Sequence, residues 1–576
     1  MNDFPNVNNV EYSFAIIGGG LSATSFLVQL VDKLSDQGAG GYRLAQELSL
    51  AVFERGKRFG PGMPHSGENV LDCHITNMCA KDMSVRSDQR DDFHCWLHNR
   101  ATTLKQKQLP DPATDASYGF FKDCLHYPRS VMGEYLHTRI SQAVEAAREL
   151  GISVTLYPHC EVVELCPQTS GFSLGVANNG NGEFVTCSAA AVLLATGHWA
   201  EASRFEHYYP SPWPAQRLRD RIPPGVQVGI LGSSLSAIEV ALTLSSEGEF
   251  VRNRDGTLRY HGAGKARQMT FYSRNGLLPV VRGRITKRRN RFLTRERIYQ
   301  LIDENPKAVS LSALFSLLNQ ELCDAYGYLP DWHQLVSGSD DIPKRLEQQI
   351  ELARNGDGAA GELVWQTVLT EIFPVVRLLY LNLRLDERER FDRDFNTLFF
   401  MHAATQPIIN AEKLLALMKA GLVRLVRLGS DYQFDYHPDR KRFEFTYGGE
   451  DGETKKDVCC HVVNASGQPR SIDTDPSPLI RHLIKQELVQ TVEYQREKDH
   501  TYSYKTGSII VEPETHQVVL PATGKPDPDR LFFAVGAMTR GQMIDASMAH
   551  GLATSTCAIA DLFIAKLTEQ TNSFES

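Results

Sequence analysis

A short apolar run that ends at a glycine lies near the start of the sequence. The run "FAII", residues 14–17, predicts a buried strand, and the residues after it have the apolar spacing of a helix. Between them, Gly18, Gly20 and Ala23 fall at the spacing G-x-G-x-x-G/A. In that pattern the first glycine makes a tight turn, the second lets backbone approach a pyrophosphate, and the small third residue lets helix pack on strand. The pattern predicts a dinucleotide site.

The next apolar run ends in an acidic residue. "LSLAVFER", residues 48–55, predicts a second strand, and Glu54 near its end could hold a ribose hydroxyl. The distance from Gly18 to Glu54 exceeds the usual ~20 residues, which indicates an extended helix and loop between the two strands. A glycine-rich turn without a ligand is the structural alternative. The order of strand, turn, helix and acid favours the dinucleotide.

The same turn pattern returns two hundred residues later, after the apolar run "QVGIL" at residues 227–231. The residues at the repeated spacing are Gly232, Ser234 and Ala237. The strand predicted next ends in Ser273 and Arg274 rather than in an acid. Because an arginine pairs with a 2′-phosphate that a carboxylate would repel, this end favours NADP over NAD. The structural alternative for Arg274 is a solvated charge.

Composition and charge narrow the functional classes. The chain has 576 residues, 42% hydrophobic and 23% charged, which is ordinary for a soluble globular protein of several domains. A net charge of -8 argues against a nucleic-acid binder. The sequence contains no uninterrupted apolar run of about 18 residues and no basic, apolar leader at its start, so we expect a cytoplasmic protein without a membrane span.

The cysteines predict thiols rather than a disulfide framework. There are 11 of them, an odd number without regular spacing and without a CxxC pair. The densest group of cysteines and histidines comprises Cys73, His74, Cys79, His94, Cys95 and His98. Their spacings fit no familiar four-ligand zinc pattern, so we expect no metal.

Several further motifs stand in a specific order. They are "FGPGMPH" (59–65), "ITNMCAKDMS" (75–84), "YPRSVMGEYL" (127–136), "LLATGHW" (193–199), "SRNGLLP" (273–279), "VVNASG" (462–467) and "LFFAVGAMTRG" (531–541). Together with the two glycine turns, this order resembles the two-dinucleotide flavoproteins of the FAD-NAD(P)-binding family, relatives of the flavin-containing and amino-acid N-hydroxylating monooxygenases.

The resemblance implies an α/β protein with two Rossmann-like dinucleotide-binding domains, for FAD and NADPH, and an inserted helical subdomain. The expected FAD domain is discontinuous, 1–215 and 468–576. The expected NADPH domain is 216–467, with a helical insertion at about 287–394 that caps the cleft.

The resemblance also implies further site residues. Those expected near the cofactors, besides the residues of the two turns and strand ends, are Met78, Thr196, Gly197 and Gly536. Those expected to act in catalysis are His65, Asn77, Thr539 and Arg540. Arg540, the fixed cation of the last turn, could hold a substrate carboxylate or stabilise developing negative charge. Its alternative role is to cap the turn or to pair locally with Asp545.

The implied activity is that of an NADPH- and FAD-dependent monooxygenase. Such an enzyme would N-hydroxylate a small amine or amino acid through a C4a-hydroperoxyflavin, with dioxygen as co-substrate and no nucleic-acid or membrane partner. One alternative is an NADPH-dependent flavin reductase that acts on a quinone or a protein acceptor; the missing CxxC disfavours a disulfide reductase. Another alternative is a non-enzymatic flavin redox sensor.

Overall fold

The computed structural model describes residues 9–103, 125–197, 203, 205–331, 341–449, 452–467, 471–496 and 499–575. The strands are β1 (Glu11–Ile17), β2 (Ser49–Glu54), β3 (Ser153–Pro158), β4 (Cys160–Pro167), β5 (Phe172–Asn178), β6 (Phe184–Leu194), β7 (Tyr208–Tyr209), β8 (Gln227–Leu231), β9 (Glu249–Arg252), β10 (Leu258–His261), β11 (Gln268–Ser273), β12 (Val423–Arg427), β13 (Gln433–His437), β14 (Arg442–Gly448), β15 (Thr454–Cys459), β16 (His461–Asn464), β17 (Thr491–Arg496), β18 (Asp499–Ile509) and β19 (Leu531–Ala534).

The helices are α1 (Leu21–Asp36), α2 (Ala39–Ala45), α3 (Gly62–His65), α4 (Asp92–Thr103), α5 (Arg129–Glu149), α6 (Ala215–Arg221), α7 (Leu235–Leu244), α8 (Arg295–Glu304), α9 (Leu311–Tyr326), α10 (Ile342–Asn355), α11 (Val364–Ile372), α12 (Val376–Asn382), α13 (Leu385–Arg390), α14 (Asn396–Ala403), α15 (Ile408–Lys419), α16 (Pro478–Lys485) and α17 (Ala549–Glu575).

The first glycine turn follows β1, at the carboxyl end of the strands of a largely parallel sheet. Its parallel strands run in the order β3-β2-β1-β6-β19, and β5 and β4 extend it from β6 in antiparallel pairing. Side chains of β1 alternate between two cores: Phe14 and Ile16 pack on the helical face with α1, α5 and α17, while Ala15 and Ile17 pack on the other. Because both faces of β1 are covered, its sequence is an unbroken apolar run.

The second glycine turn belongs to a separate parallel sheet. Its order is β12-β11-β8-β16-β7, in which β8, β11, β12 and β16 stand in the same relative order as β1, β2, β3 and β6 of the first sheet. The antiparallel strands β13–β15 cover one face, where the Phe445 ring stacks on Tyr272 with centroids 4.0 Å apart. The predicted α/β class with two Rossmann-like units is confirmed.

Helices between β11 and β12 form a cap with a core of its own. Val368 and Leu379 lie in that core, to which α8, α9, α11, α12 and α14 contribute. These helices continue to Ala403, past the predicted end at about 394, whereas α10 packs through Leu346 and Ile350 on the core of the second sheet. The division of the chain into domains stays a prediction.

A charged contact ties the cap to the first unit. Arg377 on α12 donates from Nε to Asp545 Oδ1 at 2.7 Å and from Nη2 to the Gly551 carbonyl at 3.0 Å. The cap therefore contacts the first unit, although its chain segment lies between β11 and β12 of the second sheet.

Two helical stretches in the described part of the chain, 364–382 and 549–572, have the length and apolar composition to cross a membrane. Both supply core residues here, such as Val368 in the cap and Phe563 against the first sheet. Since a core helix has the same composition, this is weak support for a membrane span.

Candidate functional site

The first glycine turn makes a close approach that only glycine permits. Gly18 has φ of +107°, and a Cβ at this position would lie 2.3 Å from the Ala195 carbonyl oxygen. Thr196 and Gly197 follow directly, so the end of β6 lies against the turn. The Gly18 amide donates to the Phe53 carbonyl at 2.8 Å, which ties the turn to β2 as well.

The helix after this turn begins with an open N-terminus. Gly20 is the N-cap of α1 and provides no side-chain cap. A Cβ on Gly20 would contact only the Gly62 Cα, at 3.6 Å, so the fold leaves room above the helix start. Ala23 is fully buried against the sheet. The free amides and this space fit a pyrophosphate, as the FAD prediction requires.

Glu54 stands at the end of β2 and faces the same turn. Its Oε2 accepts from the Gly19 amide at 2.8 Å, and its Oε1 accepts from the Gly56 amide at 2.7 Å. A carboxylate has about four lone-pair sites, so two amide donors leave capacity for ribose hydroxyls.

The second turn repeats this construction. Gly232 has φ of +111°, and a Cβ there would lie 2.6 Å from the Ala465 carbonyl oxygen. Its amide donates to the Tyr272 carbonyl at 2.7 Å. Ser234 is the N-cap of α7 without a side-chain cap, and Ala237 is fully buried. The duplicated sequence pattern is therefore a duplicated structure with two open helix N-termini.

A cavity of about 1230 Å³ connects the second turn with the unit of the first. The predicted site residues that line it are Gly232, Ser234, Ser273 and Arg274 from the second unit, and Asn77, Met78 and Arg540 from the first. Arg274 is exposed at the end of β11. The cap closes the cavity with residues that include Phe373, Phe400 and Met401.

His65 and Thr539 are not among the residues that line this cavity. Thr539 is 1% exposed, and its hydroxyl donates to the Gly536 carbonyl at 3.0 Å. Gly536 itself has φ of +88°, which marks the turn after β19. His65 ends α3, where its carbonyl would lie 2.2 Å from a Cβ on Gly133. The catalytic roles of His65 and Thr539 stay predictions.

The cavity wall carries an excess of positive charge although the whole chain is acidic. The basic residues that line it are Lys81, Arg90, Arg129, Arg274, Arg282, Arg284, Lys287, Arg288 and Arg540. The acidic ones are Asp82, Asp91 and Glu371. A cleft lined mainly by one sign of charge attracts ligands of the opposite sign, here a dinucleotide with its phosphates.

A second chamber of about 660 Å³ adjoins the cavity and shares Asn396, Phe400 and Arg540 with it. The Arg540 guanidinium carbon lies 4.2 Å from the centre of the Phe400 ring, a cation–π distance. Asp545, the local partner considered for Arg540, is bound by Arg377. Arg540 thus lies on the wall common to both chambers.

A carboxylate with two phenol donors lies in the second chamber. The π-helical turn Phe391–Phe395 carries Asp392, whose Oδ2 accepts from Tyr380 Oη at 2.7 Å and from Tyr504 Oη. Burial, followed by the charge of Asp392, raises the pKa of Tyr380, so this phenol stays protonated and donates. The chamber also contains Glu389, Arg393 and Lys505, so that it presents both signs of charge.

Arg282 lines the cavity, although the sequence motifs assign it no role. It is the first residue of a strongly basic segment, 282–291. Lys287 of this segment is exposed, but Arg282 is partly buried and lines the cavity. Nothing in the local spacing separates it from the other basic residues of the segment.

The prediction of thiols rather than a disulfide framework has one exception in the described part of the chain. Nine cysteines in the described part of the chain are free, and Cys79, which lines the cavity, is disulfide-bonded. His74 of the cysteine–histidine segment bonds through Nε2 to Thr243 Oγ1 at 2.8 Å. Among the described residues no group of three or more His, Cys, Asp or Glu side chains could hold a metal ion.

Comparison with known proteins gives a family match around the first glycine turn. Residues 15–199 match the family model described as FAD-NAD(P)-binding. This match agrees with the expected resemblance and supports FAD and an NAD(P) dinucleotide as cofactors. The chain is also 23% identical over 500 residues to the uncharacterized protein YdhS of Escherichia coli strain K12, covering 82% of this chain and 86% of that protein.

Solved structures with similar chain topology include enzymes of two kinds. An ornithine N-hydroxylase from Kutzneria sp. 744 is 14% identical, with 96% of this chain and 99% of that chain covered and a TM-score of 0.46. L-lysine 6-monooxygenase from Pseudomonas syringae is 11% identical, with 96% and 99% covered and a TM-score of 0.48. A bacillithiol disulfide reductase from Bacillus cereus is 10% identical, with 96% and 99% covered and a TM-score of 0.40.

Proposed function

We propose that this chain, whose residues 15–199 match the FAD-NAD(P)-binding family model, is an FAD- and NADPH-dependent monooxygenase that N-hydroxylates a small amine or amino acid. The observation that carries this proposal is the pair of joined cavities. The larger one, about 1230 Å³, runs from the second turn to the flavin-side residues Asn77 and Met78. The smaller one, about 660 Å³, adds room for an organic substrate beside it.

When bound, FAD accepts an electron pair from NADPH and activates dioxygen. The chain's own residues position and enclose these groups. The open N-termini at Gly20 and Ser234 would bind the two pyrophosphates, Glu54 would hold a ribose, and Arg274 would pair with the 2′-phosphate.

The cap supports oxygen transfer because it places apolar side chains over part of the cavity. Phe373, Phe400 and Met401 present apolar surface to the cavity, and Arg377 fastens the cap to Asp545 of the first unit. Apolar surface beside the flavin limits the loss of activated oxygen as peroxide before it reaches the substrate. A reductase that only passes electrons outward has less need of such a surface.

The second chamber supports a small amine or amino acid as substrate. Its carboxylates, Glu389 and Asp392, attract an ammonium group, and Arg540 and Lys505 balance their negative charge. With two phenols already donating to Asp392, that carboxylate is fixed in position. An amine, or the amino group of an amino acid, presents the charge that these carboxylates bind.

A second candidate is a reductase, which Cys79 favours. This residue is disulfide-bonded and lines the same cavity as Asn77 and Met78. A disulfide that exchanges electrons with the flavin would accept one further electron pair. Anaerobic titration with NADPH measures this, since a flavin alone takes up one equivalent, and a flavin coupled to a disulfide takes up two.

The proposal is tested by turnover with a panel of amines, amino acids and sulfides. NADPH oxidation, oxygen uptake, peroxide and hydroxylated product are measured in the same reaction. We expect at least one amine or amino acid to stimulate NADPH oxidation and to give an N-hydroxylated product in place of peroxide. Peroxide equal to the NADPH consumed with every compound, or electron transfer to quinones or disulfides alone, would contradict the monooxygenase.

A further inference from the structure

The backbone on both sides of Arg282 is held by a buried side chain. Gln366 donates from Nε2 to the Val281 carbonyl at 2.9 Å, and its Oε1 accepts from the Gly283 amide at 3.0 Å. Gln366 is 3% exposed, so these hydrogen bonds are shielded from water. One amide group thus brackets Arg282.

A second buried glutamine holds the same segment. Gln406 donates from Nε2 to the Pro279 carbonyl at 2.6 Å, and the backbone carbonyl of Gln406 accepts from the Arg282 backbone amide at 2.8 Å. Leu363 packs so closely on Gly283 that a Cβ there would lie 2.4 Å from its side chain. The direction of the Arg282 side chain is therefore set by its surroundings.

The Arg282 guanidinium extends into the main cavity without a partner. Its Nε is buried and makes no hydrogen bond, and it forms no ion pair within the described ranges. Burial lowers the pKa of Arg282, and the negative charge of Asp82 opposes this effect. An arginine remains charged even so. The guanidinium has no hydrogen-bonded carboxylate among the described residues and lies against the cavity, so it is available to an anionic ligand there.

Arg282 faces the unit of the first turn. Its charge adds to the burial that lowers the pKa of His126, and Asp82 of the same unit acts on Arg282 in return. For the phosphate groups of both dinucleotides, the proposed binding groups are the two helix N-termini and Arg274. Arg282 is an additional cation, placed where a substrate would meet the flavin side of the cavity.

We propose that Arg282 binds an oxyanion of a ligand in the main cavity, and that this oxyanion is the carboxylate of the substrate. A guanidinium suits the purpose because its planar fork donates two parallel hydrogen bonds to a carboxylate or phosphate. Only the identification of the ligand as substrate rests on the proposed function; the oxyanion site itself does not.

The test uses oxidised holoenzyme and needs no turnover. Dissociation constants are measured for butyrate, for butylamine and for NADP⁺ with the unmodified enzyme, Arg282→Met and Arg282→Lys. Arg297→Met is the matched control, since Arg297 is an exposed arginine on α8 outside the cavity. Unfolding temperatures of the flavin-free forms are compared in parallel.

For Arg282→Met we expect butyrate binding to weaken about ten- to a hundredfold, with butylamine not weakened, because one forked, charge-assisted contact is lost. Arg282→Lys restores part of the affinity. The flavin-free Arg282→Met protein should unfold at about the same temperature, because Arg282 forms no ion pair among the described residues and its Nε makes no hydrogen bond. If Arg282 were needed only for folding, its replacement by methionine would lower the unfolding temperature.

The remaining outcomes separate the sources of the oxyanion. If Arg282→Met weakens NADP⁺ binding and leaves butyrate binding unchanged, Arg282 binds a phosphate of the dinucleotide. That result would overturn the assignment to the substrate carboxylate. Unchanged constants for both ligands in Arg282→Met would overturn the site altogether. Because none of these measurements depends on oxygen, a failure of the monooxygenase proposal leaves them interpretable.

Discussion

Replacing Gly20 with valine should separate flavin binding from folding. Gly20 has φ of -86° and ψ of -156°, angles that any residue adopts, and a Cβ would make one ordinary contact at 3.6 Å. Valine caps a helix less well than glycine but restricts the unfolded chain, and the two effects leave stability changed by about 1 kcal/mol or less.

The effect on FAD should be far larger. The valine methyl groups occupy the space above the start of α1, so the pyrophosphate loses its contacts with the first-turn amides. Two hydrogen bonds to a charged group, at about 1.5–3 kcal/mol each, correspond to about a hundred- to ten-thousandfold weaker binding. We expect a folded, colourless protein, measured by flavin absorbance after purification and by titration with FAD.

Two comparison variants make this result interpretable. Gly40→Val, at a helical glycine with no atom within 4 Å of its Cβ, should keep the flavin. Gly18→Ala should destabilise the flavin-free protein by at least about 2 kcal/mol, since φ of +107° strains alanine and its Cβ would meet a carbonyl at 2.3 Å. A Gly20→Val protein with unchanged FAD affinity would refute the assignment of this turn.

Three further predictions concern the nicotinamide site, the buried histidines and the second chamber. Arg274→Ala should raise the KM for NADPH by about tenfold or more and leave that for NADH nearly unchanged, and equal losses for both would contradict the 2′-phosphate contact. Burial lowers the pKa of His126 to about 4 and that of His516 to about 3, so above pH ~6.5 their full contribution to stability is present. Below that pH the unfolded chain binds more protons than the folded protein. The unfolding free energy should therefore fall by up to about 1.4 kcal/mol per pH unit for each histidine between pH ~6.5 and ~4. Denaturant titrations should show a smaller fall for His126→Gln, and the same pH dependence of the unfolding free energy in this variant would contradict the prediction. Arg540→Met should lower kcat/KM for the substrate about tenfold with flavin content unchanged, and full activity and coupling would remove Arg540 from the site.

The parts of the fold that follow from local sequence were predictable. The turn at Gly18 needs a strand, a glycine with positive φ and a helix within a few residues, and the same holds at Gly232. Glu54 could be placed because it ends the strand that pairs with β1. Each of these features depends on neighbours in the chain or on one strand pairing.

Other parts depend on residues far apart in sequence. Arg282 differs from its basic neighbours only because Gln366 and Gln406 hold its backbone and direct it into the cavity. The charge pattern along residues 282–291 does not indicate these contacts. Likewise, the apolar residues of α10 predict a helix but not that it packs on the second sheet rather than within the cap.

The origin of the oxygen atom in the product tests the central claim most directly. The enzyme is reduced anaerobically with one equivalent of NADPH, supplied with the substrate found in the amine and amino-acid panel, and mixed with ¹⁸O₂ for a single turnover. Mass spectrometry of the product should show one ¹⁸O atom on nitrogen for most of the flavin reoxidised. If all the label is recovered in peroxide and the amine stays unmodified, the protein is not a monooxygenase for that substrate, and the reductase becomes the better account of the same fold.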